Sequence, residues 1–259
     1  MKSPIIDEDQ TLERSSMDVD AKQRLIVALD FASASEAMDL VQKLNGLVSL
    51  FKVGTELHFV EGNAIVVALT SKGKEVYLDL KYDDVPETIE RSVRRVASAG
   101  ARFLTIHGNG PNVDAAIQGR KNAGNTDLKL LSVKVLTSLD ARDLEENFGQ
   151  PISVEDLVLR RAEAALKAGC DGVIASGREA RKIRERIRDR QFLIVTPGIR
   201  PEGYPPDDQK RRVTPREAIV AGADYLVVGR PITRDPNPFK AAERILAEMQ
   251  EGFDALRSA

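Results

Sequence analysis

The amino-acid sequence predicts an α/β chain folded as a single-domain (β/α)8 TIM barrel. Three observations predict it. Eight short apolar runs rich in β-branched residues recur along the chain, segments of helical period alternate with them, and several runs end in charged residues where a buried strand should be apolar. Strands alternating with helices make βαβ units and a parallel sheet. Eight such units in about 235 residues suit a closed barrel better than an open doubly wound sheet, which is the alternative.

In chain order the runs are Leu25–Leu29, Leu50–Val53, Val76–Leu80, Phe103–Ile106, Leu130–Leu136, Gly172–Ala175, Phe192–Val195 and Tyr225–Val228. The helical segments between and after them are Ser35–Leu44, Ala64–Lys72, Pro86–Ala99, Val113–Lys121, Val154–Lys167, Arg178–Arg188, Pro215–Ala221 and Pro238–Met249. Pro86, Pro215 and Pro238 each open a helix, where the missing N–H costs nothing. No break in composition marks a second domain, so the barrel is expected over residues 23–259, after a polar, flexible extension over 1–22. Two connections exceed simple loops, Ser138–Val154 and Pro201–Thr214, and both have the composition of mobile functional loops.

Composition narrows the function classes. The 259 residues carry a formal net charge of −2, so no global field draws the chain to nucleic acid or an anionic membrane. A single cysteine, Cys170, excludes an internal disulfide and any multi-cysteine metal site. It sits where a helix meets a strand and reads as a buried structural thiol. The apolar run near the start is too short for a signal h-region or a membrane span, so a cytoplasmic location is expected.

The chemistry lies in the charges. Strands of a closed barrel are buried on both faces, and residues two apart share a face. In the third strand Val76, Leu78 and Leu80 are expected to face the helices, leaving Tyr77, Asp79 and Lys81 to point inward. Asp79 and Lys81 then fall at the carboxyl end, where barrel active sites lie, with Asp84 following on the loop. The first strand ends in Asp30, the second carries Lys52 between Phe51 and Val53, and the last ends in Gly229-Arg230. Buried singly, such charges would be costly; together they neutralise one another and can bind a charged ligand. A purely structural salt-bridge network accounts for one such residue more readily than for four strand ends.

A second constellation suits phosphate. The seventh strand ends in Thr196-Pro197-Gly198-Ile199-Arg200, and the eighth runs into Gly229-Arg230-Pro231. Loops after strands seven and eight form the usual phosphate site of these barrels. Arg230 offers permanently charged bidentate donors, Gly229 allows close backbone approach, and Gln209 in the long loop adds an uncharged donor. Other candidates are weak. His107 reads as a packing residue, His58 has no metal-spaced partner, and Gly108-Asn109-Gly110 lacks the third glycine of a dinucleotide loop.

These segments resemble the orotidine 5′-phosphate decarboxylase family, over nearly the whole chain from about Arg24 onward. The family's Asp-x-Lys-x-x-Asp signature appears as Asp79, Lys81 and Asp84, followed by Val85-Pro86-Glu87-Thr88. Ala28-Leu29-Asp30, Lys52, Val135-Leu136-Thr137-Ser138, Thr196–Pro201, Asp208-Gln209 and Val228-Gly229-Arg230-Pro231 supply the rest, in order. Glu87 departs from the asparagine common there. The resemblance implies loss of CO2 from orotidine 5′-phosphate to give uridine 5′-phosphate in pyrimidine biosynthesis, with no metal or other cofactor. It implies Lys81 as proton donor, Asp79 beside the substrate carboxylate, and Lys52 and Asp84 as the charges that hold Lys81. Asp30, Lys52 and Asp84 would meet the ribose, Thr137 and Ser138 the base, and Arg230, Gln209 and Gly229 the phosphate. Thr88, Pro197 and Arg200 complete the implied substrate-binding set. It further implies a homodimer in which Asp84 serves the neighbouring subunit's site. Two rivals are a magnesium-dependent sugar-phosphate barrel enzyme sharing Asp-x-Lys-x-x-Asp, and a non-catalytic nucleotide-binding barrel.

Overall fold

The structure, a computed structural model, describes residues 20–107, 110–125, 127–133, 153–209 and 211–258. Eight parallel strands close into a barrel in sequence order: β1 (Leu25–Ala28), β2 (Leu50–Gly54), β3 (Glu75–Tyr82), β4 (Phe103–His107), β5 (Lys129–Val133), β6 (Gly172–Ile174), β7 (Leu193–Thr196) and β8 (Tyr225–Val228). β8 pairs back onto β1, with Ile26 beside Val227. The alternation of side chains sorts the core into two parts. Val76, Leu78, Leu104 and Ile106 pack outward against the helices, while Ile26, Leu50, Tyr77, Phe103, Leu131, Val195, Tyr225 and Val227 fill the barrel.

The interior closes at the amino-terminal end on an aromatic floor. Tyr77 and Phe103 meet edge to face with centroids 6.1 Å apart, and Phe103 and Tyr225 do so at 5.1 Å. Arg24 lies over the Tyr225 ring at 4.8 Å, and Arg102 donates to the Tyr225 hydroxyl at 2.9 Å.

The outer layer contains α1 (Ala34–Lys43), α2 (Thr55–Glu61), α3 (Ala64–Thr70), α4 (Pro86–Ser98), α5 (Gly110–Asn122), α6 (Val154–Lys167), α7 (Gly177–Arg186), α8 (Pro215–Val220), α9 (Arg230–Thr233) and α10 (Pro238–Arg257). Local chemistry starts several of them. Ser33, Ser153 and Ser176 cap α1, α6 and α7 by accepting from backbone N–H groups, and Thr214 with Glu217 forms a reciprocal capping box on α8. α4 and α5 pack closely because Gly119 has no Cβ, which would stand 2.3 Å from the Glu90 carbonyl oxygen.

Most expected elements appear within a few residues of their predicted bounds. The differences are local. α2 and α9 replace expected loop, and α10 runs eight residues beyond the expected end at Met249, to Arg257. Ala21–Gln23 forms a 3-10 turn capped by Asp20, and Ala21 is buried in the outer core. The barrel therefore reaches back into the segment that the sequence assigns to the extension. Cys170 is buried in the same core, as a structural thiol should be. Thr137, Ser138, most of the Ser138–Val154 connection and most of the 1–22 extension lie outside the described residues. Among the described residues, no helix is long and apolar enough to cross a membrane.

Candidate active site

The strand-end charges converge at the carboxyl mouth of the barrel. Strand register explains how. Ala28 lies beside Lys52, Lys52 beside Tyr77, and Gly54 beside Asp79. Lys52 therefore roots one layer below Asp79, and its four-carbon stem carries the ammonium up to the mouth. Its Nζ donates to Asp30 Oδ1 at 2.8 Å and lies 3.9 Å from Asp79 Oδ2. Lys81 Nζ donates to Asp79 Oδ1 at 3.0 Å. The order Asp30–Lys52–Asp79–Lys81 alternates in sign, and each neighbour offsets the cost of sequestering the next. Lys52 is 9% exposed, whereas the Lys81 side chain keeps 35% of its surface open toward the mouth.

Lys81 does not simply continue the strand alternation. It has φ 51, in the left-handed region, the one described non-glycine residue with positive φ. The register explains why: from Leu78 to Tyr82 β3 advances four residues, while its partner advances only two, from Leu104 to Ile106. The excess chain bulges at the site. The Lys81 N–H donates to Thr105 Oγ1 at 3.0 Å, and the Thr105 hydroxyl donates to Asp79 Oδ1 at 2.9 Å. Thr105 thus ties the Lys81 backbone to the Asp79 carboxylate. Sequence reasoning passed over it, although it shares the inward face with Phe103 and is fully buried. Below, burial raises the Tyr77 hydroxyl pKa well above its ordinary value, and the Asp79 charge raises it further. The phenol therefore stays neutral beneath the charged row.

Gly54 is a second residue that the sequence did not flag. A Cβ there would lie 3.0 Å from Lys52 Nζ and 3.1 Å from Asp30 Oδ1. Gly54→Ala is expected to displace that ion pair and lower turnover by about 10- to 100-fold, the cost of a sub-ångström to ångström misplacement of a reacting constellation. Steady-state kinetics beside a thermal melt will check it; unchanged kcat would mean that the pair tolerates the shift.

Asp84 is exposed, and its Oδ1 accepts from the next residue's N–H, on Val85. The described ion pairs of this chain's lysines at the mouth go to Asp30 and Asp79 and not to Asp84. Thr88 lies in the first turn of α4, its N–H donating to the Val85 carbonyl at 3.0 Å. Phe59, Val60 and Val67 on α2 and α3 and Val85 beside Asp84 are 92%, 64%, 54% and 61% exposed. Phe59 and Val60 follow β2, Val67 lies on α3 between β2 and β3, and Val85 follows β3.

The phosphate candidates gather on the adjoining arc, after β7 and β8, where a Cβ on Gly229 would lie 3.9 Å from Asp30 Oδ2. Gly198 has φ 79, and a Cβ on it would lie 3.0 Å from Gln209 Nε2, so the glutamine amide rests against its backbone. Pro197, partly buried, precedes it. Gly229 caps the short α9, which begins with Arg230. Arg230 pairs with Asp208 and lies 3.4 Å from Asp207. The hydrogen bond with Asp208 and these two negative charges raise its pKa above the ordinary arginine value. Arg200 is buried and engaged. Its Nε and Nη2 meet Asp207 at 2.8 and 2.7 Å, and Nη1 donates to the Ile199 carbonyl at 2.8 Å. In this structure it organises the loop from beneath. The Pro201–Thr214 connection is pinned at its base, where Arg200 N–H donates to the Val213 carbonyl at 3.0 Å and Arg211 pairs with buried Glu179.

His107 ends β4 partly buried, and His58 lies 3.3 Å from Asn63 Oδ1. No group of three or more potential metal-ligating His, Cys, Asp or Glu side chains occurs among the described residues.

Residues 23–245 match the family model described as "Orotidine 5'-phosphate decarboxylase / HUMPS family". The chain is 48% identical over 237 residues to the orotidine 5′-phosphate decarboxylase of Nitrobacter winogradskyi, covering 92% of this chain and 95% of that protein. It is 45% identical over 244 residues to that of Methylococcus capsulatus, covering 93% and 98%. Among solved structures, the orotidine 5′-phosphate decarboxylase of Lactobacillus acidophilus superimposes with a TM-score of 0.77 at 35% identity, covering 87% of this chain and 98% of that one.

Proposed function

The chain belongs to the orotidine 5′-phosphate decarboxylase / HUMPS family, and from that premise we propose that it is a carboxy-lyase converting orotidine 5′-phosphate to uridine 5′-phosphate in pyrimidine biosynthesis. The observation that carries this reading is the alternating row Asp30–Lys52–Asp79–Lys81 at the barrel mouth.

The chemistry follows from the charges. Breaking the bond between the pyrimidine ring and its carboxylate leaves an electron pair on the ring carbon and releases CO2. The Lys81 ammonium stabilises that carbanion as it develops, then gives it a proton; solvent returns one to the amine. Asp79 keeps Lys81 oriented and stands near the departing carboxylate. Like charges about 4 Å apart repel by about 4 kcal/mol at an effective dielectric of about 20, and CO2 departure relieves part of this. The larger contribution comes from charges already fixed by their neighbours, which need no reorganisation during reaction. Asp30 and Lys52 meet the ribose hydroxyls, Thr137 and Ser138 the base, and Thr88 and Pro197 line the site. Arg230, Gln209 and Gly229, with Arg200 behind them, hold the phosphate. Phosphate binding draws the Pro201–Thr214 loop over the mouth and applies remote binding energy to the reacting carbon.

No cofactor is needed in this scheme. An ammonium at Lys52, lodged 2.8 Å from Asp30 and 3.9 Å from Asp79, occupies the place between carboxylates that a divalent cation would need. That disfavours the magnesium-dependent reading. The active form is a homodimer, with Asp84 completing the partner subunit's site, and the exposed apolar side chains Phe59, Val60 and Val85 that follow β2 and β3 are candidates for its interface. The protein works in the cytoplasm.

The test follows orotidine 5′-phosphate absorbance with purified protein in EDTA. Sustained turnover is the expected result. No turnover with or without added Mg2+ would sink the reading, while activity that disappears only on chelation would favour the metal-dependent alternative.

A further inference from the structure

Two adjacent aspartates of the loop after β7 meet the same guanidinium in different ways. The Asp207 side chain is 16% exposed, and that of Asp208 is 76% exposed. Asp207 Oδ2 accepts from Arg200 Nε at 2.8 Å and lies 2.7 Å from Arg200 Nη2 and 3.4 Å from Arg230 Nη2. Its Oδ1 accepts from the Gln209 N–H at 3.2 Å. Asp208 pairs with Arg230 alone among the described ion pairs.

We infer that Asp207 is a positioning residue for phosphate recognition, the shared carboxylate that sets Arg230, Arg200 and Gln209 in the spacing a phosphomonoester requires. This deepens the proposed function and rests on its phosphate assignment.

Three features carry the inference. One carboxylate touches all three residues, which come from two separate stretches of chain at the ends of β7 and β8. Its own charge is compensated, because buried Arg200 spends two guanidinium nitrogens on it. Arg200 and Arg230 face one buried carboxylate, Asp207, and one exposed carboxylate, Asp208, so Arg230 has charge to offer an incoming anion once Asp208 gives way. Gln209 is fixed from two sides, by Asp207 at its N–H and by the Gly198 backbone at its amide. An arginine and a glutamine on a loop have many rotamers, and ordering them before the ligand arrives removes that cost from binding. Asp208 has the opposite relation to the ligand. It is open to solvent and pairs with Arg230 Nη2, the nitrogen that also lies 3.4 Å from Asp207, so a phosphate that takes this donor must displace Asp208. An exposed pair of this kind is weak and gives way readily.

The experiment compares the affinities of uridine 5′-phosphate and uridine for the full-length protein by calorimetry. Wild type should prefer the phosphorylated ligand strongly. Asp207→Asn should lose about tenfold or more in affinity for uridine 5′-phosphate, the scale of one charge-assisted hydrogen bond, while uridine binding stays within about twofold. Asp208→Asn should bind uridine 5′-phosphate as well as wild type or more tightly. A merely structural role for Asp207 would weaken both ligands together, and that result overturns the inference, as does an unchanged ratio. Should Asp207→Asn fail to fold, Asp207→Glu carries the same test, since it keeps the charge and alters its reach; an unchanged ratio there is equally fatal. A wild type without preference for the phosphorylated ligand overturns the phosphate assignment itself, and the inference with it.

Discussion

Replacing Lys81 with alanine will lower turnover of orotidine 5′-phosphate by about 10⁴-fold or more and leave the barrel folded. That is the upper end of what a positioned proton donor supplies, the role proposed for Lys81, and the loss of its fixed charge adds to it. Lys81 is the part of the charged row that combines an open approach with a direct carboxylate partner, at 3.0 Å from Asp79. The fold does not depend on it in the same way. Its backbone has φ 51, a conformation that costs an L-residue about 1–2 kcal/mol. Lys81→Gly relieves that strain while removing the same amine. Its melting temperature should stay within about 4 °C of wild type, because relieved strain offsets the lost, partly exposed ion pair. Kinetics and a thermal melt on both variants check the prediction. An active Lys81→Gly protein would remove the residue from its role; a collapsed one would show that the bulge needs the lysine for structure.

Asp79→Asn should lower kcat by about 10³-fold with nearly the same shape retained. The carboxylate accepts from Lys81 and Thr105 and lies 3.9 Å from Lys52, so an amide leaves two ammonium groups facing one another with Asp30 as their remaining counter-charge. Orientation of Lys81 is lost with the charge. Binding should move the other way. Orotidine 5′-phosphate carries a carboxylate where uridine 5′-phosphate carries hydrogen, so removing Asp79's charge should tighten the former relative to the latter by about tenfold or more. Competition binding of the two nucleotides reads the ratio. A large loss of kcat without change in the ratio would assign Asp79 to orienting Lys81 alone.

The barrel was legible because its chemistry is periodic. Apolar β-branched runs alternating with capped helices leave little else to build, and Val154–Lys167 and Tyr225–Val228 match the expected bounds to the residue. The misses have physical causes. Thr55–Glu61 escapes an amphipathic search because Phe59 and Val60 point to solvent instead of the core. The last helix runs past its expected end through Gly252, which serves as a packing contact: a Cβ there would meet Ile219 at 2.8 Å. In the site, Asp30, Lys52, Asp79 and Lys81 announce themselves as charges in apolar strands. Thr105 and Gly54 do not, since a neutral hydroxyl and a missing Cβ look ordinary in a strand. The left-handed turn at Lys81 leaves no trace in a residue that is not glycine. Asp207 is one acid among many in a charged loop, and only its three partners distinguish it.

Among the described residues, the aromatic floor of Tyr77, Phe103 and Tyr225 closes the amino-terminal end of the barrel and leaves its carboxyl mouth as the doorway. A nucleotide, a proton and a molecule of gas must share it. Under the proposed closure of the Pro201–Thr214 loop, that segment would govern departures as well as arrivals, and a catalyst whose chemistry became fast enough would be timed by it.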